Sequence, residues 1–347
     1  MFSVKRGNLF QMITITYFIL GNLTLATIIN TLQLEVNFIS NILISQLGFV
    51  ALSVVTYMLV TKSPFKPTLH IHKIRLLDAM ICIGIAWSIM PSLSVINVFS
   101  QFFVRNQIQD TLLAVLDYPY LFVILLTSVF PAVFEELLTR SLIISNYRKE
   151  TVLVTCMISG LFFGFIHLNI NQFLYAIVMG ALMCYVVLIT ESIYSAIIIH
   201  FTINATSTTM LYVSNIIIKA FSDNELLMGE LAASNDPTNA QLAIMLIGLS
   251  IYALFFIPIA YLLIRSLLKR NNKVFKGSLK LPTEVFMKLN RESVVNHDFE
   301  EDMKDALEQT ATVESLVIKE KQSIFTPPLL ITIAIFIVFS LIIEFLS

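Results

Sequence analysis

Apolar runs of about 20 residues, almost free of charge, recur along the whole chain, and no other feature limits its fold as strongly. A run of that length crosses the hydrocarbon core of a bilayer as a helix, because in lipid every backbone N–H and C=O must be satisfied inside the segment. A transmembrane barrel would alternate apolar and polar residues at every second position; these runs are continuous. Composition agrees: 57% of the residues are hydrophobic and 13% charged, against roughly 25% charged in a soluble domain. Too little polar sequence exists to cover a soluble core. With 22 basic and 23 acidic residues no net charge draws the chain to nucleic acid, and none is expected as a partner. The fold class is all-α, a polytopic transmembrane bundle.

Nine candidate spans lie at 10–32, 38–60, 76–99, 118–145, 151–168, 172–190, 192–214, 241–265 and 327–346, giving about eight to nine crossings. Basic clusters orient them: Lys5 and Arg6; Lys62, Lys66, Lys73 and Arg75; Arg148 and Lys149; Arg265, Lys269, Arg270 and Lys273. All four fall on one side if every candidate crosses, so the positive-inside rule predicts a multi-pass protein of the cell membrane with a cytoplasmic N-terminus. MFSVKRGN leads straight into the first run with no small-residue cleavage site, so a retained helix is expected there. Cys82, Cys156 and Cys184 all sit inside apolar runs and read as small buried hydrophobes. Residues 100–117 have helical apolar spacing and suit the interface. The one long polar stretch changes sign along its length. Residues 269–291 carry seven basic and one acidic residue, and 292–320 carry nine acidic and two basic. The first part suits an anionic leaflet, and the second reads as a short solvated helix or as disorder. The organisation is thus N-terminal helices over 1–117, a core over 118–214, an external loop and eighth span over 215–268, a cytoplasmic polar segment over 269–326 and a last helix over 327–347.

Ionisable groups inside a span cost roughly 2.5–3.5 kcal/mol each at the bilayer centre and mark function by default. Three clusters qualify: Glu135-Glu136-Leu137-Leu138-Thr139-Arg140, Phe163-Gly164-Phe165-Ile166-His167, and His200-Phe201-Thr202-Ile203-Asn204. Glu136 and Arg140 stand at i,i+4 with the acid first, the favourable order for a helical ion pair. Glu135 lies about 100° round the helix and lacks a local counter-charge, so a metal, a proton or a histidine from another helix should stabilise it. Phe163, one turn before His167, shares its face, and His200 shares a face with Asn204. Each cluster has a bland reading: carboxylates pairing with Arg140, a hydrogen-bonded packing histidine, and interhelical polar contacts. Together they supply the parts of a hydrolytic site, with a base or metal to activate water and a donor for the developing oxyanion. Other intramembrane protease designs are missing. The chain has no HExxH and no GxGD, and Ser159-Gly160 follows Met157 where a GxSG site needs glycine.

In order, EELLTR (135–140), FGFIH (163–167) and HFTIN (200–204) resemble the EExxxR, FxxxH and HxxxN motifs of the CPBP family. These are the CAAX proteases and bacteriocin-processing (Abi) proteins, intramembrane metalloproteases. Residues 180–200 resemble the family's Gly-rich sixth helix, its short turn and the start of the third-motif helix, so the resemblance covers roughly 118–210. It implies that Glu135 binds a metal or acts as general base, with His167 as its partner. It also implies that His200 and Asn204 complete the site as ligand or oxyanion stabiliser, and that Glu136 and Arg140 hold their helix in place. Glu135, His167 and His200 would be the ligands of a zinc ion; Glu–His activation of water without metal is the other possibility the residues leave open. At 1.5 Å per residue, Glu135 lies about 15 Å from the cytoplasmic end, His200 about 13 Å and His167 about 24 Å. A shared depth predicts a fifth span starting near 155, and a shared cavity enclosed by the fourth, fifth and seventh spans.

The implied activity is an intramembrane endopeptidase cutting near the inner leaflet, with a bacteriocin or signalling-peptide precursor as substrate. The alternative is a non-catalytic immunity or regulatory protein that binds another membrane protein, such as a sensor kinase, through 269–347. A proton-coupled transporter is the third reading, but no broken-helix pair or repeat supports it.

Overall fold

The computed structural model describes residues 3–104, 115–220, 237–273 and 323–346. Most of the interfacial segment expected over 100–117, its residues 105–114, and most of the polar stretch lie outside them. Among the described residues nine main helices follow in order: α1 Val4–Leu32, α2 Phe38–Thr61, α3 Leu76–Ser100, α4 Tyr120–Asn146, α5 Val152–Ile166, α6 Ile170–Thr190, α7 Ile193–Ala220, α8 Asn239–Arg270 and α9 Pro327–Leu346. Seven of them are long and apolar enough to cross a membrane; α5, with 15 residues, is apolar but shorter. Large apolar side chains point outward, among them Val60, Leu76 and Leu121, each more than three-quarters exposed. Such a surface is stable only against lipid.

Two expectations change. The fifth span has 15 helical residues, about 22 Å, short of a full crossing. It starts at Val152 rather than near 155, because the Thr151 side chain caps it by accepting from Val154 N at 3.3 Å. It ends at His167, and Leu168 turns left-handed (φ 50°). Asn169 then caps α6, accepting from Gln172 N at 3.0 Å. α5 and α6 form a tight hairpin. A Cβ at Gly160 would lie 2.5 Å from Ile177 O, and one at Gly180 would lie 2.9 Å from the Gly160 Cα. Only hydrogen at both positions lets the two backbones touch, the small-residue packing that lipid favours.

One end of the bundle gathers all four basic clusters. Ser3 N donates to Asn146 Oδ1 at 3.5 Å, joining the start of α1 to the end of α4. The segment between α2 and α3 threads under the same end. Its Thr68 and Leu69 carbonyls accept from Ser145 and Ser141, and its His70 and His72 carbonyls accept from Ile193 N and Ser192 Oγ. Asp78 at the start of α3 pairs with Arg75 at 3.1 Å and with Arg270, at the end of α8, at 2.7 Å. Charged groups collect where the helices leave the hydrocarbon, as the positive-inside pattern requires. The three cysteines are free and buried.

Candidate active site

α4 carries both carboxylates between two π-helical segments, Leu125–Val129 and Leu137–Ser141. Interruptions of this kind in an α-helix are frequent at functional sites. Consecutive residues point about 100° apart, and here that angle separates the two acids. Glu136 is fully buried and faces inward. Its Oε2 lies 2.9 Å from Arg140 Nε, and its Oε1 accepts from His200 Nδ1 at 2.7 Å. Arg140, also fully buried, touches Thr139 Oγ1, and its Cζ stands 4.0 Å from the centroid of the Phe163 ring. The guanidinium therefore sits between a carboxylate and an aromatic face, the two environments that lower the cost of burying it.

Glu135 faces the other way. Its Oε1 accepts from Gln46 Nε2, on α2, at 2.8 Å. Gln46 is the interhelical group that donates to this carboxylate. With His167, Glu135 lines a cavity of about 390 Å³. The walls come from Phe18 and Asn22 of α1, Ser45, Phe49 and Val50 of α2, Gln172 of α6, and Phe339 and Ile343 of α9.

Both histidines are oriented by their neighbours. His167 Nδ1 lies 2.7 Å from Phe163 O. A carbonyl only accepts, so Nδ1 carries the proton and the Nε2 lone pair is left to act as base or ligand. His200 Nδ1 donates to Glu136 in the same way, and Arg140, Glu136 and His200 form one chain. The Phe163 ring meets both imidazoles edge-to-face, its centroid 4.7 Å from that of His167 and 5.6 Å from that of His200.

The structure thus brings Glu135 and His167 to one cavity despite the early start of α5. His200 and Asn204 are not among its lining residues, and α7 is not one of its walls. His200 packs edge-to-face against Phe163, and Asn204 Nδ2 donates to Thr127 O, in the first π segment of α4, at 3.1 Å. Among the described residues no three His, Cys, Asp or Glu side chains are placed to share a metal ion. Glu135, His167 and His200 are therefore not gathered as the zinc ligand set expected, although His200, like His167, bonds through Nδ1 and keeps its Nε2 lone pair. Sequence reasoning missed Gln46, Gln172 and the whole contribution of α9. Gln46 had a signal, an amide in an otherwise apolar span.

No curated protein and no solved structure matches the chain. Residues 117–206, about a quarter of the chain, match the family model described as type II CAAX prenyl endopeptidase, Rce1-like, so the CPBP resemblance carried by the three motifs is borne out over that segment, which is similar to the core of the CAAX-protease-type intramembrane endopeptidases.

Proposed function

We propose that this chain hydrolyses a peptide bond at the Glu135–His167 cavity, with Glu135 as general base. The observation that carries the reading is the pairing of a carboxylate, held by one amide, with an imidazole whose Nε2 lone pair is free, on one cavity inside the bundle. A water between them loses its proton to Glu135 as its oxygen attacks the peptide carbonyl carbon. That proton passes to the leaving nitrogen as the C–N bond breaks. Gln46 keeps the carboxylate aimed, and His167 Nε2 orients the water by accepting its other hydrogen. Asn204, through its side-chain amide, is the proposed oxyanion donor, and His200, whose Nδ1 hydrogen goes to Glu136, holds α7 against α4 beside it. Substrate must then draw Asn204 off Thr127 O and shift the Phe163 ring, a tightening of the kind that apo sites undergo on binding.

The substrate class we infer is a membrane-resident peptide or protein segment, such as a bacteriocin or signalling-peptide precursor. The four basic clusters put the end of the bundle that holds them in the cytoplasm by the positive-inside rule. The test is cleavage of a panel of internally quenched peptides by purified protein, alongside elemental analysis. Cleavage lost in Glu135→Gln and His167→Gln, in protein free of zinc and insensitive to chelator, is the expected result. One zinc per chain, lost in the histidine variants, would overturn the metal-free scheme and restore the three-ligand reading. Protein that cleaves nothing while folded would move the weight to a non-catalytic partner of another membrane protein.

A further inference from the structure

α9 lies outside the 117–206 match, yet it packs along α1 and reaches the α5–α6 hairpin through Phe336. Thr332, Phe336 and Ser340 are buried at helical spacing, while Ile331, Val338 and Leu341 face outward. Its start is clamped by Asn8 of α1, whose side-chain amide donates to Ile324 O at 3.0 Å and Thr326 Oγ1 at 2.7 Å. The Asn8 carbonyl oxygen accepts in turn from Tyr147 OH, just beyond α4. Midway along, the Phe336 ring stacks on Phe173 at 4.6 Å and meets Phe165 at 4.8 Å, on either side of the turn that carries His167. One turn further on, Phe339 and Ile343 reach the cavity that holds Glu135 and His167.

We infer that α9 is a working wall of the active site, and that Phe339 and Ile343, with Phe18 and Phe49, form an apolar subsite that sets the size of the substrate side chain placed against Glu135. The cavity divides by chemistry. Glu135, His167, Asn22, Ser45 and Gln172 supply the polar side, which suits a peptide backbone. The two α9 residues and the two phenylalanines supply the apolar side, which suits a hydrophobic side chain. A volume of about 390 Å³ is at the small end of ligand sites, so a change of one ring in the wall alters what fits. The fixed register of α9, set at Asn8 and at Phe336, makes Phe339 a specificity-determining residue rather than a passive neighbour. The inference rests on the peptidase reading above.

The experiment uses full-length protein in detergent and three quenched peptides identical but for one residue, Ala, Leu or Phe. Phe339→Ala widens the subsite and should shift the Phe-to-Ala ratio of kcat/KM roughly 10-fold toward the bulky peptide, and Phe339→Trp should shift it the other way. Unchanged ratios in both variants would overturn the subsite. A second readout needs no turnover: Glu135→Gln protein is irradiated with the same peptide bearing a photoreactive group at the varied position. Label on the fragment holding residues 323–346 is expected, and label confined to other fragments refutes the inference. Wild-type protein that cleaves none of the peptides, or a Glu135→Gln variant that still cleaves them, would count against the peptidase reading instead, whatever the labelling shows.

Discussion

Replacing Arg140 with alanine should remove folded protein from the membrane, while replacing Glu135 with glutamine should not. Arg140 and Glu136 are both fully buried and 2.9 Å apart. Taking away one partner leaves the other charge without compensation, which costs about 3–5 kcal/mol. Losing the cation–π contact with Phe163, 4.0 Å away, adds about 2 kcal/mol at a desolvated site. His200, still donating to Glu136 Oε1, offsets part of this, so a net loss near 3 kcal/mol is the lower expectation. Glu135→Gln keeps shape and volume and weakens one hydrogen bond, from Gln46, at about 1 kcal/mol. The difference of about 2 kcal/mol or more is over tenfold in the folded fraction. Fluorescence-detected size exclusion and thermal melts in detergent read it directly. The double variant Glu136→Gln with Arg140→Met removes both charges and should recover much of the loss, since a buried pair replaced whole is often neutral. Equal melting of Arg140→Ala and Glu135→Gln would refute the structural role given to the pair.

Gly160→Ala places a methyl 2.5 Å from Ile177 O, a backbone atom that cannot turn aside; parting α5 from α6 should cost about 1–3 kcal/mol, read as a lower melting temperature. Gln46→Leu removes the donor 2.8 Å from Glu135 and should lower kcat about tenfold with KM little changed, as loss of a hydrogen bond to a charged group does. His70, in the segment between α2 and α3, is held by burial well below the usual histidine value, at about 4. The folded chain therefore keeps it neutral while the unfolded chain takes up a proton below about 6.5. Its contribution is complete above that pH and is lost as pH falls toward 4. It is about 1–2 kcal/mol once partial exposure of the ring is allowed for. His70→Gln should flatten that part of the melting curve's pH dependence, and an identical slope in the variant would contradict it.

Much of the fold was written in uninterrupted apolar length, because lipid leaves no other way to satisfy a backbone. The Glu136–Arg140 pair was legible for a similar reason: i,i+4 spacing on one helix fixes the distance before any tertiary contact forms. What was not legible depends on packing between distant segments. The 151–168 run reads as one span, but Leu168 turns left-handed, and nothing about a leucine announces that; the Asn169 cap three residues past the end of α5 was the available signal. The motifs placed His200 and His167 in one site, whereas the Phe163 ring that both imidazoles touch and the hydrogen bond from His200 to Glu136 are tertiary facts. Gln46 reaches Glu135 from 89 residues away. α9 could be seen as a helix in the sequence, but its place as a wall of the cavity depends on Asn8 and on the Phe165–Phe336–Phe173 stack.

If Glu135 and His167 work on one water, their losses cannot multiply. The measurement is kcat/KM for Glu135→Gln, His167→Gln and the double variant on one cleavable peptide, each at matched folded fraction. Each single change should cost at least about 100-fold, the range of general acid–base catalysis, and the double variant should be little worse than the poorer single one, because the first change already disables the pair. Multiplying losses, or near wild-type activity in either single variant, would contradict the account.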